Sequence, residues 1–171
     1  MMPENEIQRV LDTRRFAILA TQSDGQPHTS LMAFTPMDGI RHLIVATYRD
    51  TLKYRSLLKE NRVAVLIDSR TVVDSATPQG IVLTLHGTAT EVPNADRAAA
   101  EQAHLARHPD LEAFLSSPDC VLLRVTVNNY ELVGGIEDVS WYKLAVQKPD
   151  DHQVVASLTV VIDRPYKDNT F

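Results

Sequence analysis

At residues 46–53 the chain runs Ala46-Thr47-Tyr48-Arg49-Asp50-Thr51-Leu52-Lys53, and two hydrophobic patterns meet there. The preceding run, residues 43–46, is continuously apolar and typical of a β-strand. The following segment carries Leu52, Leu57 and Leu58 at roughly helical spacing. The sequence therefore predicts a strand that passes into a helix through a turn containing two cations and a hydroxyl.

That turn is open to two interpretations. Arg49, Thr51, Lys53 and the free N–H groups of a helix start together form the kind of cradle that binds a phosphate. The same residues also fit an ordinary capped helix, with Asp50 or Thr51 as N-cap and the cations in solvent. Cations at a helix N-terminus oppose the helix dipole unless an anion offsets them. The spacing alone leaves both interpretations open.

Composition limits the class of protein. The chain has 171 residues, 44% of them hydrophobic, which predicts one well-buried domain. The formal charge is −5 and no basic block is present, so no nucleic-acid partner is expected. No apolar stretch is long enough to span a bilayer, and the polar start does not resemble a signal peptide, so we expect a cytoplasmic protein. The single cysteine, Cys120, is interpreted as a core residue at a strand start.

The remaining pattern predicts mostly strands joined by hairpins. The run 62–68 is apolar enough to predict a central strand buried on both sides. In chain order we expect a helix at 3–13, strands at 16–21, 28–34 and 41–47, a helix from 52, strands at 62–68 and 80–91, helices at 94–107 and 111–115, and a strand at 121–127 that extends towards 133. This order predicts a mainly β fold, a six-stranded antiparallel barrel with peripheral helices.

The C-terminal third is less regular. Residues 139–146 fit a short strand, and residues 147–171 are a β-rich extension and tail of unknown role, which divides the chain into a domain at 1–146 and that extension. The run Val154–Ile162 is rich in β-branched residues, and as a lone exposed strand it would be prone to aggregate. We expect it to pair with the barrel edge or with a partner subunit.

Three motifs carry a family resemblance. Residues 25–30, Gly-Gln-Pro-His-Thr-Ser, are similar to a Gly-x-Pro-x-x-Ser hairpin, and residues 47–53 are similar to a strand-to-helix segment that ends in Ser/Thr-x-Lys. Residues 106–109 and 132–136 are similar to a helix that ends in Arg-x-Pro and a later strand that ends in Val-Gly-Gly-Phe. In this order they resemble the FMN-binding split-barrel superfamily of pyridoxamine 5′-phosphate oxidase, in the branch related to haem-utilisation proteins.

The resemblance implies a homodimer with FMN in a groove between the subunits. It would place the phosphate on Arg49, Thr51 and Lys53. A dianionic phosphate suits an Arg and a Lys, and a flavin ring suits flat backbone flanked by small side chains. The ring and ribityl chain would lie along two strands, at Ser30, Leu31, Met32, Val45, Ala46 and Thr47.

The resemblance also leaves the function open between three hypotheses. We find no C-terminal Arg-x-His pair to hold pyridoxal phosphate, so pyridoxamine-phosphate oxidase itself is not expected. The leading hypothesis is an FMN-dependent oxidoreductase that acts on a small unidentified substrate, with the reaction carried by the cofactor and no catalytic residue assigned. The alternatives are a haem-binding or haem-degrading protein on the same fold, and a flavin-binding module without turnover.

The histidines give no convincing metal site. His104 and His108 stand four positions apart on one predicted helix, a spacing that can chelate a metal, but favourable imidazoles at a helix C-terminus are the preferred interpretation. His28 and His86 are expected to be hydrogen-bonded barrel residues. His152 would be a candidate axial ligand only if the chain bound haem.

Overall fold

The computed structural model describes residues 3–71, 80–135, 138–144 and 159–161. Its helices are α1 (Pro3–Thr13), α2 (Leu52–Lys59), α3 (Asn94–Arg107) and α4 (Glu112–Leu115), with a 3-10 turn at Pro109–Leu111 before α4. Its strands are β1 (Phe16–Ser23), β2 (Gln26–Met37), β3 (His42–Tyr48), β4 (Arg62–Asp68), β5 (Val82–Glu91), β6 (Cys120–Gly135), β7 (Asp138–Lys143) and β8 (Thr159–Val161). No described helix has both the length and the apolar character needed to cross a bilayer.

Six strands close into an antiparallel barrel. They follow the order β3-β2-β1-β4-β5-β6, and β3 pairs again with β6 to complete the ring. The predicted six-stranded antiparallel barrel is thereby confirmed. Strand β6 is long enough to pair with β3 through its first half and with β7 through its second half.

The sheet continues outward from the barrel through β7 and β8. The three residues of β8 pair antiparallel with Trp141, Tyr142 and Lys143. They belong to the β-rich run predicted to need an edge, and here they lie against the outermost strand of the same sheet. The rest of 147–171, including His152, lies outside the described residues, as does most of the polar segment 69–79.

The β1–β2 hairpin sets the register of the groove described below. Asp24 and Gly25 occupy its two central positions with φ of 52° and 80°, the left-handed pair required by a tight two-residue turn. With Ser23 opposite Gln26, the register places Leu31 opposite Ile18. The turn chemistry therefore decides which side chains share the outer face of these strands.

Strand β4 differs from its prediction on one side. Val63, Val65 and Ile67 point into the barrel core, as expected. Leu66 instead lies on the outer face and is 36% exposed, so β4 is central in the sheet but not buried on both sides. Its high apolar content reflects an exposed apolar surface and not a second covering layer.

A glycine permits the close approach of β5 and β6. The register between these strands shifts at His86 and Gly87, where a β-bulge interrupts the pairing. A Cβ at Gly87 would lie 2.0 Å from the carbonyl oxygen of Thr126, well inside van der Waals contact. Only a residue without a side chain fits this crossing, and the barrel closes around it.

Helices α3 and α4 pack outside the barrel. A second apolar cluster, separate from the barrel interior, joins the outer faces of β3 and β6 to these helices. Its buried members are Ile44, Ala46, Val92, Ala100, Leu115, Cys120 and Leu122. The predicted packing of the 94–107 helix against the outside of the barrel is thus confirmed, and Cys120 is a core residue whose thiol pKa is raised by burial.

The end of α3 also fixes α1. The guanidinium of Arg107 donates to the backbone oxygens of Leu11, at 2.7 Å, and Asp12, at 3.1 Å, and also to that of Arg14. The last carbonyls of a helix have no partner within the helix, and a cation there interacts well with the dipole. The Arg-x-Pro motif is therefore structural here, because Arg107 caps α1 from another element.

Candidate functional site

A cavity of about 250 Å³ opens along β2, β3 and the start of α2. Strand β2, the 46–53 segment and the α3–α4 region each contribute one side of it. It is lined by Leu31, Met32, Ala33, Ala46, Thr47, Tyr48, Thr51, Lys53, His104, Leu111 and Phe114. Six of the nine residues predicted from the family resemblance, Leu31, Met32, Ala46, Thr47, Thr51 and Lys53, belong to this lining.

One end of the cavity is polar. The hydroxyls of Thr47 and Thr51 lie 3.1 Å apart, and Nζ of Lys53 donates to Oγ1 of Thr47 at 3.4 Å. Thr51 is the N-cap of α2, and its Oγ1 accepts from the backbone N–H of Tyr54 at 3.4 Å. Partial burial lowers the pKa of the Lys53 ammonium, and this cation forms no ion pair with the described residues. The arrangement suits an anion.

Arg49 points elsewhere. Its guanidinium contacts both carboxylate oxygens of Glu91, at 2.8 and 3.1 Å, and donates to the hydroxyl of Tyr54 at 2.7 Å. Tyr54 in turn donates to Glu91, and the neighbouring Arg49 lowers the pKa of that carboxyl. Arg49 is not part of the cavity lining. The anion that offsets this cation at the helix start is therefore a carboxylate of the chain itself.

Two further predicted residues are placed apart from the cavity. Val45 is 1% exposed and its side chain packs in the barrel core, because it alternates with the outward-facing Ile44 and Ala46. Ser30 is half-buried on β2 opposite Leu19 and does not belong to the lining. Adjacent strand positions face opposite sides, so a continuous run of strand residues cannot all present side chains to one groove.

The opposite side of the cavity is helical and apolar. The rings of Phe114 and Tyr48 are tilted against each other with centroids 4.4 Å apart, and Leu111 lies beside them. Phe114, Leu111 and His104 were not among the site residues predicted from the sequence. The sequence pattern that could have indicated these residues was weak, because a short helix after an Arg-x-Pro motif does not by itself indicate which strand it covers.

The two helix histidines attach α3 to β2. Nδ1 of His104 lies 2.9 Å from the hydroxyl of Thr35, and Nε2 of His108 donates to the carbonyl of Phe34 at 2.8 Å. Burial lowers the pKa of both rings, that of His104 to about 4, so they are neutral near pH 7. Both histidines lie at the C-terminal end of α3, as the preferred interpretation placed them, and as neutral rings they act there through hydrogen bonds to β2. The described residues contain no group of three or more side chains placed to hold a metal.

His86 lies at a separate surface. Its ring stacks on Trp141 with centroids 5.7 Å apart, and its Nε2 is 4.0 Å from a carboxylate oxygen of Glu131. Trp141 also lines a second cavity of about 360 Å³ together with Asn128, Asn129, Tyr142 and Lys143. None of these five residues belongs to the lining of the first cavity. His28 is half-buried on β2 near the hairpin turn.

The closed barrel with a groove along β2 and β3 defines a split-barrel protein. A family model described as pyridoxamine 5′-phosphate oxidase matches residues 3–134, and the chain belongs to that family. A search of the curated proteins found no match. The match spans the whole barrel and the α3–α4 side of the groove.

Solved structures agree with this assignment at the level of the fold. A haem-binding protein from Mycobacterium smegmatis superposes with a TM-score of 0.72 at 20% identity, over 84% of this chain and 59% of that one. A putative pyridoxamine 5′-phosphate oxidase from Listeria innocua gives 0.62 at 20% identity, over 77% and 98%. A FAD-binding protein from Mesorhizobium loti gives 0.60 at 23% identity, over 74% and 90%. The present chain thus spans less than two thirds of the Mycobacterium protein.

Proposed function

We propose that this protein is an FMN-binding flavoprotein that acts as an oxidoreductase on a small substrate. The observation that carries the proposal is a single cavity with Lys53 and two hydroxyls at one end and an apolar, partly aromatic wall at the other. FMN has this polarity, because its ribityl chain joins an anionic phosphate to a flat ring. Both flavin-binding and haem-binding proteins have this fold, and the polar end favours the flavin phosphate.

The residues present fit the phosphate end of FMN. Lys53 offers a charge that donates to Thr47 and forms no ion pair within the described part of the chain. Thr51 offers a hydroxyl, and the first N–H groups of α2 have no partner within the helix. Bound FMN would supply the transfer of electrons or hydride. The chain itself would hold the phosphate, orient the ring over β2 and β3, and exclude water with Phe114 and Leu111.

We further propose that the working unit is a homodimer with the cofactor at its interface. Ile18 lies opposite both Leu31 and Leu66 across two strand pairs, and these three side chains are 41%, 74% and 36% exposed. This apolar row reaches the cavity, because Leu31 also lines it. A cavity of about 250 Å³ is small for a drug-sized ligand, and a second copy covering the row would add a wall to it.

Absorption spectroscopy of the protein as isolated, followed by titration with FMN and with haem, tests the proposal. A yellow protein with flavin bands supports it, whereas a red protein with a Soret band supports the haem-binding alternative. A colourless protein that takes up neither cofactor contradicts both.

The phosphate assignment has its own test. Replacement of both Arg49 and Lys53 by methionine removes the two predicted cations, of which only Lys53 lines the cavity. Its contact with a phosphate would be worth on the order of 1.5–3 kcal/mol. FMN affinity should then fall roughly ten- to a hundredfold, while the affinity for riboflavin, which lacks the phosphate, should hardly change. Equal FMN affinity in wild type and variant would show that the phosphate does not bind at this turn.

A further inference from the structure

The cavity contains a buried polar atom without a partner. His104 is fully buried and belongs to the lining, and its Nδ1 is engaged with the hydroxyl of Thr35. Its Nε2 has no hydrogen-bond partner among the described residues. Leaving a buried ring nitrogen unpaired costs about 1–3 kcal/mol, so such an atom calls for an explanation.

The surroundings of His104 show what kind of partner is missing. The ring forms a hydrogen bond with Thr35 of β2. On its own helix it lies beside the ring of His108, with centroids 4.9 Å apart, and feels the positive charge of Arg107. The cavity wall near it is apolar, formed by Leu111 and Phe114. A neutral imidazole offers one N–H and one lone pair, and the bond to Thr35 decides which of them Nε2 presents.

The polar end of the cavity has a separate cation. Lys53 lies on α2 and His104 on α3, and both belong to the lining of the same cavity. A ligand that places an anion at Lys53 and extends a flat ring between β2 and the α3–α4 wall would bring the edge of that ring towards His104. Lys53 would therefore contact the phosphate of such a ligand, and His104 would contact its ring.

We propose that Nε2 of His104 forms a hydrogen bond with the polar edge of the heteroaromatic ring whose phosphate is held at Lys53. This inference rests on the proposed function and adds a specificity-determining residue to it. The ligand class is a planar, nitrogen- or carbonyl-edged ring joined to a phosphate. The competing explanation is structural, with His104 present only to attach α3 to β2 through Thr35.

Two amide substitutions separate these explanations. The amide of His104→Asn can occupy the position of Nδ1 and keep the bond to Thr35, while Nε2 is lost. The amide of His104→Gln can reach the position of Nε2 and loses the bond to Thr35. Dissociation constants for FMN and riboflavin, and the absorption bands of each bound flavin, are measured for wild type and both variants, with unfolding in the absence of flavin as a check on the fold.

If Nε2 binds the ring, His104→Asn should lose about tenfold in affinity for FMN and for riboflavin alike and should shift the bound flavin bands, whereas His104→Gln should stay within about threefold of wild type. The reverse order, with Gln weaker than Asn, overturns the inference, as do unchanged affinities and spectra in both variants. Lys53→Met is the matched control, because it should weaken FMN and leave riboflavin unaffected.

The test distinguishes this inference from the proposed function. If wild type binds FMN and both His104 variants bind it as tightly as wild type, only the role of His104 is overturned. Wild-type protein that binds neither FMN nor riboflavin overturns the proposed function and the role of His104 together. If one variant fails to fold, the other still distinguishes ring recognition from a purely structural role, because the two explanations predict different flavin affinities for that variant.

Discussion

Lys53 and Arg49 are close in sequence, yet their charges meet different partners. Lys53 faces the hydroxyl of Thr47 in the cavity, whereas Arg49 is held by the carboxylate of Glu91 and the hydroxyl of Tyr54. The sequence predicted a turn with two cations but not the carboxylate, because Glu91 lies at the end of β5, the third element after the turn. A long-range ion pair leaves no local signature.

The two cations should therefore contribute unequally to phosphate binding. Lys53→Met should weaken FMN binding by roughly ten- to a hundredfold, because it removes a charged donor from the cavity. Arg49→Met should change it by less than about threefold, because that guanidinium is already paired. Isothermal titration with FMN measures both, and riboflavin serves as the phosphate-free control. A larger loss in the Arg49 variant would show that Arg49 leaves Glu91 for the ligand.

Gly87 gives a residue-scale prediction about stability. Gly87→Ala should lower the free energy of unfolding by at least about 2 kcal/mol, because the new methyl group would overlap the Thr126 carbonyl. Gly25→Ala is the matched control. It adds the same methyl group in open space and should cost about 1 kcal/mol, from its φ of +80° alone. Urea unfolding of the three proteins compares them, and equal losses would contradict the steric explanation.

At the scale of elements, local sequence patterns predicted the type and position of the helices and strands well. They predicted the contacts between these elements poorly. Turn residues and the hydrophobic period located α1, α3 and the β1–β2 hairpin, and Thr51 is an N-cap as one interpretation held. The particular strand against which α3 docks was not predictable, because that contact depends on hydrogen bonds from His104 and His108 to β2, some 70 positions earlier. The outer face of β4 was misjudged because an exposed apolar surface resembles a buried core in sequence.

Docking of α3 should make stability depend on pH. The pKa of His104 is about 4 in the folded protein against 6.5 ordinarily, so the unfolded chain binds more protons between these values. The free energy of unfolding should thus be highest above pH 6.5 and fall towards pH 4, by up to about 1.4 kcal/mol per pH unit from this ring.

Urea unfolding from pH 7.5 to 4.5, for wild type and His104→Asn, measures this dependence. The variant retains His108, whose lowered pKa also makes the free energy of unfolding fall with pH. Because His108 is present in both proteins, its contribution cancels when their free energies of unfolding are subtracted. The difference in unfolding free energy between the two proteins should shrink as the pH falls. Parallel profiles would show that His104 is not the responsible group.

At the scale of the whole molecule, the candidate site and the exposed apolar row belong to one surface. Leu31 takes part in both, and the row runs from it across Ile18 to Leu66. The barrel supplies a rigid support for the groove, and the helices close one side only. The open side is the one that we propose a second copy covers.

Ile18→Glu should disrupt that assembly. A charge in the middle of the row would have to be buried unpaired in a dimer, at a cost of several kcal/mol, while in a monomer it stays hydrated. Sedimentation should show a dimer for wild type and a monomer for the variant, with weaker FMN binding. Gln26→Glu, exposed at the hairpin end of β2, is the control and should leave both properties unchanged. A monomeric wild type that binds FMN tightly would contradict the dimer.

The pairing of β3 with β6 has a consequence for the emergence of the chain from the ribosome. His42 pairs with Thr126 and Tyr48 with Cys120, so the ring cannot close until about 80 further residues have been added. At a typical rate of about 5–20 residues per second, β3 waits several seconds with one edge unpaired. Nascent chains halted before residue 120 should be the form that holding chaperones capture.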